Sequence, residues 1–159
     1  MSALYHAAGL SLGHDLATPT RGVNIRADAP AVRWMERNSD PTGRLQVPEL
    51  DLHTIADQLV PVQQENAYRQ TVDRAWRRRL LRQAFVQRQV HCNFTPAELV
   101  AGVQAVQARL QTGRWGDVAQ PAQLNAAAAS LDLGGSAFIP YEPGGLTGDN
   151  GPFDPFTGG

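Results

Sequence analysis

The sequence predicts an α/β fold, and three observations lead to that prediction. Two short apolar segments, residues 45–52 and 80–86, have the length and pattern of β-strands. Each is followed by a loop and then by residues suited to a helix start, so the order strand, loop, helix occurs twice. Of the 159 residues, 42% are hydrophobic and 18% are charged, which favours a folded core over wholesale disorder.

Composition divides the chain into three predicted regions. Residues 1–43 form an irregular, helical segment, residues 44–133 form the ordered part, and residues 134–159 form a Gly/Pro-rich tail whose end we expect to be mobile. In the first region we predict short helices over residues 3–8 and 30–37, with a turn over residues 17–22. Such short helices need packing partners to be stable.

The first predicted strand covers Leu45–Leu52, where apolar and polar residues alternate imperfectly. Pro48 within it indicates an edge strand, because proline has no N–H to donate to a neighbouring strand. A loop over residues 54–60 leads to a helix predicted over Pro61–Arg78. We expect the arginines at residues 77–79 to complement the negative end of that helix rather than to bind phosphate.

The second predicted strand covers Leu80–Val86, and three of its residues are expected to be buried: Leu81, Phe85 and Val86. The next helix begins with a capping box, in which Thr95 caps the helix and Glu98 reaches back, and it ends at Gly113. Spacings of three and four predict one buried face on this helix: Leu99, Val100, Val103, Val106 and Leu110. A last helix is predicted over residues 121–130.

This order of elements brings an acid and a histidine to one edge of the predicted sheet. Asp57 follows the first strand and His91 follows the second, and the carboxyl ends of parallel strands meet at the same edge. There a carboxylate can orient an imidazole, whose other nitrogen serves a nucleophile as general base. Both residues also have structural alternatives: Asp57 as a turn residue before a helix, and His91 as a hydrogen-bonded structural histidine.

At these residues the sequence resembles the C-terminal part of an α/β-hydrolase, the superfamily of serine esterases, lipases and peptidases. Val47–Asp57 is similar to the strand and loop that carry the family's catalytic acid, and Leu59-Val60-Pro61 to the continuation into a helix. His91-Cys-Asn-Phe-Thr-Pro-Ala-Glu98 resembles the family's histidine loop, especially in secreted bacterial hydrolases with a His-Cys-x-Phe pattern. The resemblance covers residues 44–135.

The resemblance implies a partial α/β-hydrolase fold, made of the last two strands and their flanking helices after a cap-like helical segment. It implies that Asp57 orients His91, and that His91 is the base for a serine in the hydrolysis of a small-molecule carboxylic ester. The family has glycine where Thr54 and Val90 stand, and a β-branched residue resists the backbone angles that glycine permits. The exposed sheet edge of such a truncated or split enzyme would be completed by a second polypeptide or a second copy of the chain.

The nucleophile is harder to find. The family's Gly-x-Ser-x-Gly elbow follows an apolar strand, and Gly9-Leu-Ser-Leu-Gly13 matches those letters. However, the residues before Ser11 favour a helix, and the stretch from Ser11 to Asp57 is too short for the helices and strand that the family places there. Ser136 follows the histidine and is out of order. We therefore predict that the nucleophile lies outside this chain and that Ser11 is a turn residue at a helix end. The alternative is that Ser11 itself is the nucleophile.

Other side chains carry weaker signals. The single cysteine, Cys92, excludes an internal disulfide and a multi-cysteine metal site. A Cys92–His91 nucleophile pair is disfavoured because adjacent residues of an extended segment point to opposite faces, so we expect a small buried side chain or half of a disulfide with a missing segment. No metal or cofactor site is predicted, because the remaining histidines lack partners at ligand spacing: His6, His14 and His53.

Charge and hydropathy limit the possible partners. A net charge of −1 and a pI near 6.4 give no electrostatic case for binding nucleic acid or acidic lipid. No apolar run approaches the roughly 20 residues of a membrane-spanning helix, and residues 1–11 show no signal peptide, although hydrolases with this pattern are often exported. The rival hypothesis is a non-catalytic, mostly helical interaction or assembly protein whose irregular ends become ordered against a partner.

Overall fold

The computed structural model describes residues 2–22 and 26–146. The chain divides into two units, residues 1–40 and residues 41–159. The finer boundaries given by composition, at residues 43 and 133, stay a prediction. The predicted mobile end of the tail, residues 147–159, lies outside the described residues.

The described part of the first unit contains helices α1 (Ser2–Ala7), α2 (Leu12–Gly22) and α3 (Ala29–Asn38). Helices α1 and α3 agree with the two predicted helices, and Asp28 caps α3 by accepting a hydrogen bond from the Ala31 N–H. The predicted turn over residues 17–22 is wrong, because α2 continues through these positions. Ser11 caps α2 by accepting a hydrogen bond from the His14 N–H, and this cap favours a helix over the positions that follow it.

The second unit is mixed α/β. Its elements in chain order are β1 (Glu49–Ala56), α4 (Gln63–Arg74), a 3₁₀ turn (Arg78–Leu80), β2 (Leu81–Gln89), α5 (Pro96–Thr112), α6 (Pro121–Ala129) and β3 (Phe138–Ile139). The described residues thus hold six α-helices and one three-stranded sheet, which confirms the mixed α/β class. The strand order is β1-β2-β3; β1 and β2 are parallel, and β3, which lies within the predicted tail, is antiparallel to β2.

The first strand is displaced along the sequence from its prediction. It begins at Glu49 rather than at Leu45, so Pro48 lies just before the strand and its missing N–H costs the sheet no hydrogen bond. The register pairs Glu49 with Leu81 and His53 with Phe85. Strands β1 and β2 therefore end at the same edge of the sheet.

Helix α4 ends earlier than predicted because the chain takes a left-handed turn at Trp76, where φ is 59°. The N–H groups of Trp76 and Arg77 donate to the carbonyls of Asp73 and Val72, which is the Schellman pattern of a helix end. The predicted last turn of arginines at residues 77–79 is therefore wrong, since these residues lie beyond the helix.

The core lies where α5 and α6 pack on the sheet, and eight buried residues form it: Ala84, Val86, Ala97, Ala101, Ala105, Leu124, Ala128 and Phe138. Small residues let α5 approach the sheet closely. A Cβ added to Gly102 would lie 3.1 Å from a methyl carbon of Leu52. The three positions of the second strand that were expected to be buried are buried in the structure.

Helix α5 confirms its predicted ends and contradicts its predicted buried face. Thr95 accepts a hydrogen bond from the Glu98 N–H, the Glu98 carboxylate accepts one from the Thr95 N–H, and the helix ends at Gly113 with φ of 73°. The face that packs on the sheet consists of small residues, whereas the large apolar residues of the predicted face are mostly exposed. No helix in the described ranges is long and apolar enough to cross a membrane.

Candidate active site

Two residues singled out in the sequence meet at the carboxyl edge of the sheet. Asp57 directly follows β1, and His91 lies just beyond the end of β2. The His91 Nδ1 lies 2.7 Å from the Asp57 Oδ2, so the ring N–H donates to the carboxylate. The Asp57 side chain is 4% exposed and that of His91 is 42% exposed. A buried carboxylate thus holds a histidine ring that solvent can reach.

Hydrogen bonds keep the Asp57 carboxyl ionised. Burial raises its pKa, but donors outweigh burial: the Val60 N–H, the His91 ring and the Leu59 N–H together lower the pKa from 3.8 to about 2. The two backbone groups lie 2.8 and 3.0 Å from Oδ1, while Oδ2 accepts from the ring. With each oxygen bound to a different partner, the carboxylate plane is fixed and the ring orientation follows from it.

The turn that presents His91 is left-handed on both sides of it. Val90 has φ of 74° and Cys92 has φ of 53°, angles that non-glycine residues rarely adopt. Two hydrogen bonds hold Val90 in place: its carbonyl accepts from the Thr54 hydroxyl at 3.0 Å, and its N–H donates to the Ala56 carbonyl at 3.2 Å. Thr54 and Val90, which stand where the resembled family has glycine, therefore contact each other.

Cys92 lies on the other side of the histidine ring, and this corrects two expectations. Its Sγ is 3.5 Å from the His91 Nε2, and its side chain is exposed rather than buried. The two side chains share one side because the left-handed angles of Val90 and Cys92 bend the segment, whereas the expectation assumed an extended chain. The His91 ring thus contacts the Asp57 carboxylate through Nδ1 and the Cys92 thiol through Nε2. The sequence signal for this turn was that Val90 stands at a position where the resembled family has glycine.

The other candidate residues have structural surroundings. Ser11 follows α1 rather than a strand, and it caps α2 in the first unit, whereas the acid and the histidine belong to the second. Ser136 lies just before β3. The buried His53 donates from Nδ1 to the neighbouring Thr54 carbonyl at 2.8 Å. Over the described ranges, no group of three or more His, Cys, Asp or Glu side chains is arranged to hold a metal ion.

This chain is similar to an amidase. It is 36% identical over 135 residues to the o-phthalyl amidase of Xanthobacter agilis, and the match covers 84% of the chain. The chain spans 30% of the length of that amidase. No family model matches the chain, and no solved structure matches it. An amidase is a hydrolase, so the relative belongs to the general reaction class that the sequence resemblance implies.

Proposed function

We propose that this chain supplies the acid and the histidine of a hydrolase active site of the α/β-hydrolase type. The observation that carries the proposal is the 2.7 Å hydrogen bond between His91 and Asp57 at the carboxyl edge of two parallel strands. An ionised carboxylate on Nδ1 fixes the tautomer and stabilises the imidazolium that forms during acyl transfer. The similarity to an amidase supports the same class of reaction.

In this mechanism Asp57 holds the proton on Nδ1, which leaves the His91 Nε2 free to accept one. Nε2 takes the proton of a serine hydroxyl as its oxygen attacks the acyl carbon, and returns it to the departing alcohol or amine. Water then gives a proton to Nε2 as its oxygen attacks the acyl carbon of the acyl-enzyme. Nε2 returns that proton to the departing serine oxygen, which releases the carboxylic acid and regenerates the serine. The substrate is a small carboxylic ester, as the sequence resemblance implies, or an o-phthalyl amide, as the name of the relative indicates.

The nucleophile comes from outside the described part of the chain. The match leaves more than two thirds of the amidase uncovered, which is ample for a nucleophile-bearing portion. In the same proposal the helices of residues 1–43 are the cap-like segment, and the second unit is the C-terminal part of the hydrolase fold.

The test uses a chimera of the Xanthobacter agilis amidase. In this chimera the segment of the amidase that matches is replaced by the corresponding 135 residues of this chain. We expect this chimera to hydrolyse an o-phthalyl amide, and His91→Ala to lower kcat/KM by about 10³-fold or more. The matched control is His53→Gln, which alters a histidine of β1 whose Nδ1 donates to the neighbouring Thr54 carbonyl and should leave the rate within about threefold. Full activity in His91→Ala, or a folded chimera that is inactive, would overturn the proposal.

A second candidate is a thiol hydrolase complete within the chain, and the 3.5 Å contact of Cys92 with Nε2 favours it. A nucleophile on a base that is itself oriented by an acid is the arrangement of cysteine hydrolases. There the thiol gives its proton to Nε2 and its sulfur attacks the acyl carbon, and the alcohol or amine leaves with that proton. The resulting thioester is hydrolysed by water, which frees the carboxylic acid and restores the thiol.

The isolated chain distinguishes the two candidates. A thiol hydrolase releases p-nitrophenol from p-nitrophenyl acetate without a partner, and loses this activity in Cys92→Ala or after alkylation with iodoacetamide. The serine mechanism predicts an inactive isolated chain and a chimera that keeps its activity in Cys92→Ala. Inactivity in both settings would favour the non-catalytic assembly protein.

A further inference from the structure

Four arginines line one pocket near the amino end of β2, which we call the arginine pocket. Its volume is about 510 Å³. Arg79 and Arg82 reach it from the start of β2, whereas Arg109 and Arg114 reach it from the end of α5 and the residues that follow. Among the described residues that line the pocket, none is acidic. Positive charge is therefore concentrated here, in a chain whose net charge is −1.

The buried Trp115 holds two of these arginines in place. The guanidinium carbons of Arg82 and Arg109 lie 5.7 and 5.9 Å from the centre of its ring, and at such distances a cation and an indole ring attract each other. Trp115 is 3% exposed, so its ring supports the guanidinium groups and is not open for a ligand to stack on. The two charges are thus positioned before a ligand arrives, which lowers the entropic cost of binding one.

The charges of the four arginines are not neutralised within the described part of the chain. None of the four forms an ion pair there, and their side chains make one hydrogen bond, from Arg82 to the Leu81 carbonyl at 2.7 Å. Burial, and then the charges of Arg78 and Arg109, lower the pKa of Arg82. The Nε of Arg109 and the Nε1 of Trp115 are buried donors that lack an acceptor among the described residues. These surroundings favour an added anion.

The negative ends of the neighbouring helices do not account for this cluster. Carbonyls in the last turn of α5 accept hydrogen bonds from the Thr112 hydroxyl and the Gly113 N–H rather than from arginine side chains. The sequence favoured a helix-end role for Arg79 over phosphate binding. Because α4 ends at Arg74, Arg79 lies beyond that helix and lines the arginine pocket instead.

We propose that the arginine pocket binds a small phosphate-bearing molecule that carries at least two negative charges. The planar guanidinium group matches the oxygens of a phosphate and can bond two of them at once. A phosphate group carries roughly two negative charges at neutral pH and offers three oxygens, so it can neutralise more than one arginine. A volume of about 510 Å³ is within the range of small-ligand pockets.

The arginine pocket is a second site, separate from the acid–histidine pair. Strand β2 extends about 23 Å from Arg82 to its end at Gln89, and His91 lies beyond that end. A phosphate bound in the pocket is therefore out of reach of the histidine and is not its substrate. Phosphate binding is thus independent of the proposed function, and it can be measured on the isolated full chain.

The test titrates the full chain with inorganic phosphate and with pyrophosphate at pH 7 and constant ionic strength. Isothermal titration calorimetry gives the Kd. In ¹H–¹⁵N spectra the indole N–H of Trp115 reports on the pocket, and Trp34→Phe and Trp76→Phe assign the other two indole signals. We expect both anions to shift the Trp115 signal and to leave the other two in place. Pyrophosphate should bind more tightly, because it carries more charge.

The variant that tests the pocket is Arg79→Gln combined with Arg114→Gln, which changes two exposed arginines of its lining. It should raise the Kd for pyrophosphate by about tenfold or more. The matched control is Arg44→Gln combined with Arg74→Gln, which removes the same charge from exposed positions of the same unit outside the pocket. It should leave the Kd within about twofold. Because all four positions are exposed, both variants should keep Tm within about 3 °C of the parent chain.

Several results would overturn the inference. Absence of binding by both anions at millimolar concentration would mean that the pocket is not a phosphate site. An equal loss of affinity in the control would mean that overall charge attracts the anion, and shifts at Trp34 or Trp76 instead of Trp115 would place binding elsewhere. Tighter binding of succinate than of pyrophosphate would assign the pocket to dicarboxylates. Tighter binding of a polyglutamate peptide would assign it to an acidic protein segment.

Discussion

Asp51 and Asp57 lie on one strand and the loop that follows it, yet the structure moves their pKa values in opposite directions. Burial raises the pKa of the Asp51 carboxyl from 3.8 to about 8, and the neighbouring Glu65 and Glu49 add to the rise. The Asp57 side chain is buried as well, at 4% exposed, but its pKa is lowered to about 2. Burial alone therefore does not decide the charge of a carboxyl in this protein.

The two carboxyls differ in their hydrogen-bond donors and in the charges around them. Asp51 accepts a bond at 3.3 Å from a Gln83 amide nitrogen that also donates to the carboxylate and the carbonyl of Glu65. Its carboxyl also shares a hydrogen bond with the Glu49 carboxyl, which raises the Asp51 pKa further. Asp57 receives two backbone N–H groups and a histidine ring. Acidic side chains lie close together near the amino end of β1, whereas hydrogen-bond donors surround the carboxyl that follows its carboxyl end. A carboxyl that must stay ionised to orient a base is therefore better placed after the carboxyl end of β1 than near its amino end.

The largest expected effect is on catalysis, and it separates the two aspartates. In the amidase chimera we expect Asp57→Asn to lower kcat by about 10⁴-fold, because an amide in place of the carboxylate favours the wrong tautomer of His91. Asp51→Asn, an equally small change on the strand that precedes Asp57, should leave kcat within a few-fold. Rates measured under saturating o-phthalyl amide check both values, and equal losses in the two variants would mean that neither acts through the histidine.

The next effect is on stability as a function of pH, and its sign differs between the two residues. Because the folded-state pKa of Asp51 is raised, the free energy of unfolding should fall as pH rises from about 4 to about 8 and then level off. Asp51→Asn should remove this loss and be more stable than the parent chain at pH 9, by a few kcal/mol. The contribution of Asp57 is present above pH 3.8 and is lost as pH falls towards 2.

Urea unfolding of the full chain at pH 5, 7 and 9 measures the Asp51 effect. Asp117→Asn, at an exposed position of the same unit, is the control and should follow the parent chain at all three values. If the free energy of unfolding of Asp51→Asn falls with pH as steeply as that of the parent chain, the pKa of Asp51 is not raised in the folded protein.

The sequence was sufficient for the features that depend on local order along the chain. The meeting of Asp57 and His91 follows from two parallel strands in succession, and the ends of α5 follow from the Thr95–Glu98 capping box. Periodicity identified an apolar face on α5, but the helix packs on the sheet through its alanines instead, and most of that apolar face is exposed. The left-handed turn at Val90 was not predicted, because its local energy is unfavourable and hydrogen bonds from distant residues hold it.

A smaller effect tests which donors lower the Asp57 pKa. His91→Ala removes the ring but leaves the N–H groups of Leu59 and Val60, so we expect the Asp57 pKa to rise from about 2 and to stay below its usual 3.8. Carboxyl ¹³C chemical shifts of the full chain, titrated with pH, give the value directly. Asp51 serves as the internal control, since its own neighbours are unchanged. A return of Asp57 all the way to 3.8 would show that the backbone donors depend on the histidine.

The smallest effect concerns the turn that holds the histidine at the acid. Val90→Gly should stabilise the full chain by about 1 kcal/mol, because relief of a left-handed β-branched residue outweighs the freedom that glycine adds to the unfolded chain. Val90→Ala keeps a Cβ and should gain less. The Asp57 pKa should stay near 2 in both variants, since the hydrogen bonds from Thr54 and to Ala56 use only the Val90 backbone. A less stable glycine variant would mean that the valine side chain, rather than those bonds, sets the turn.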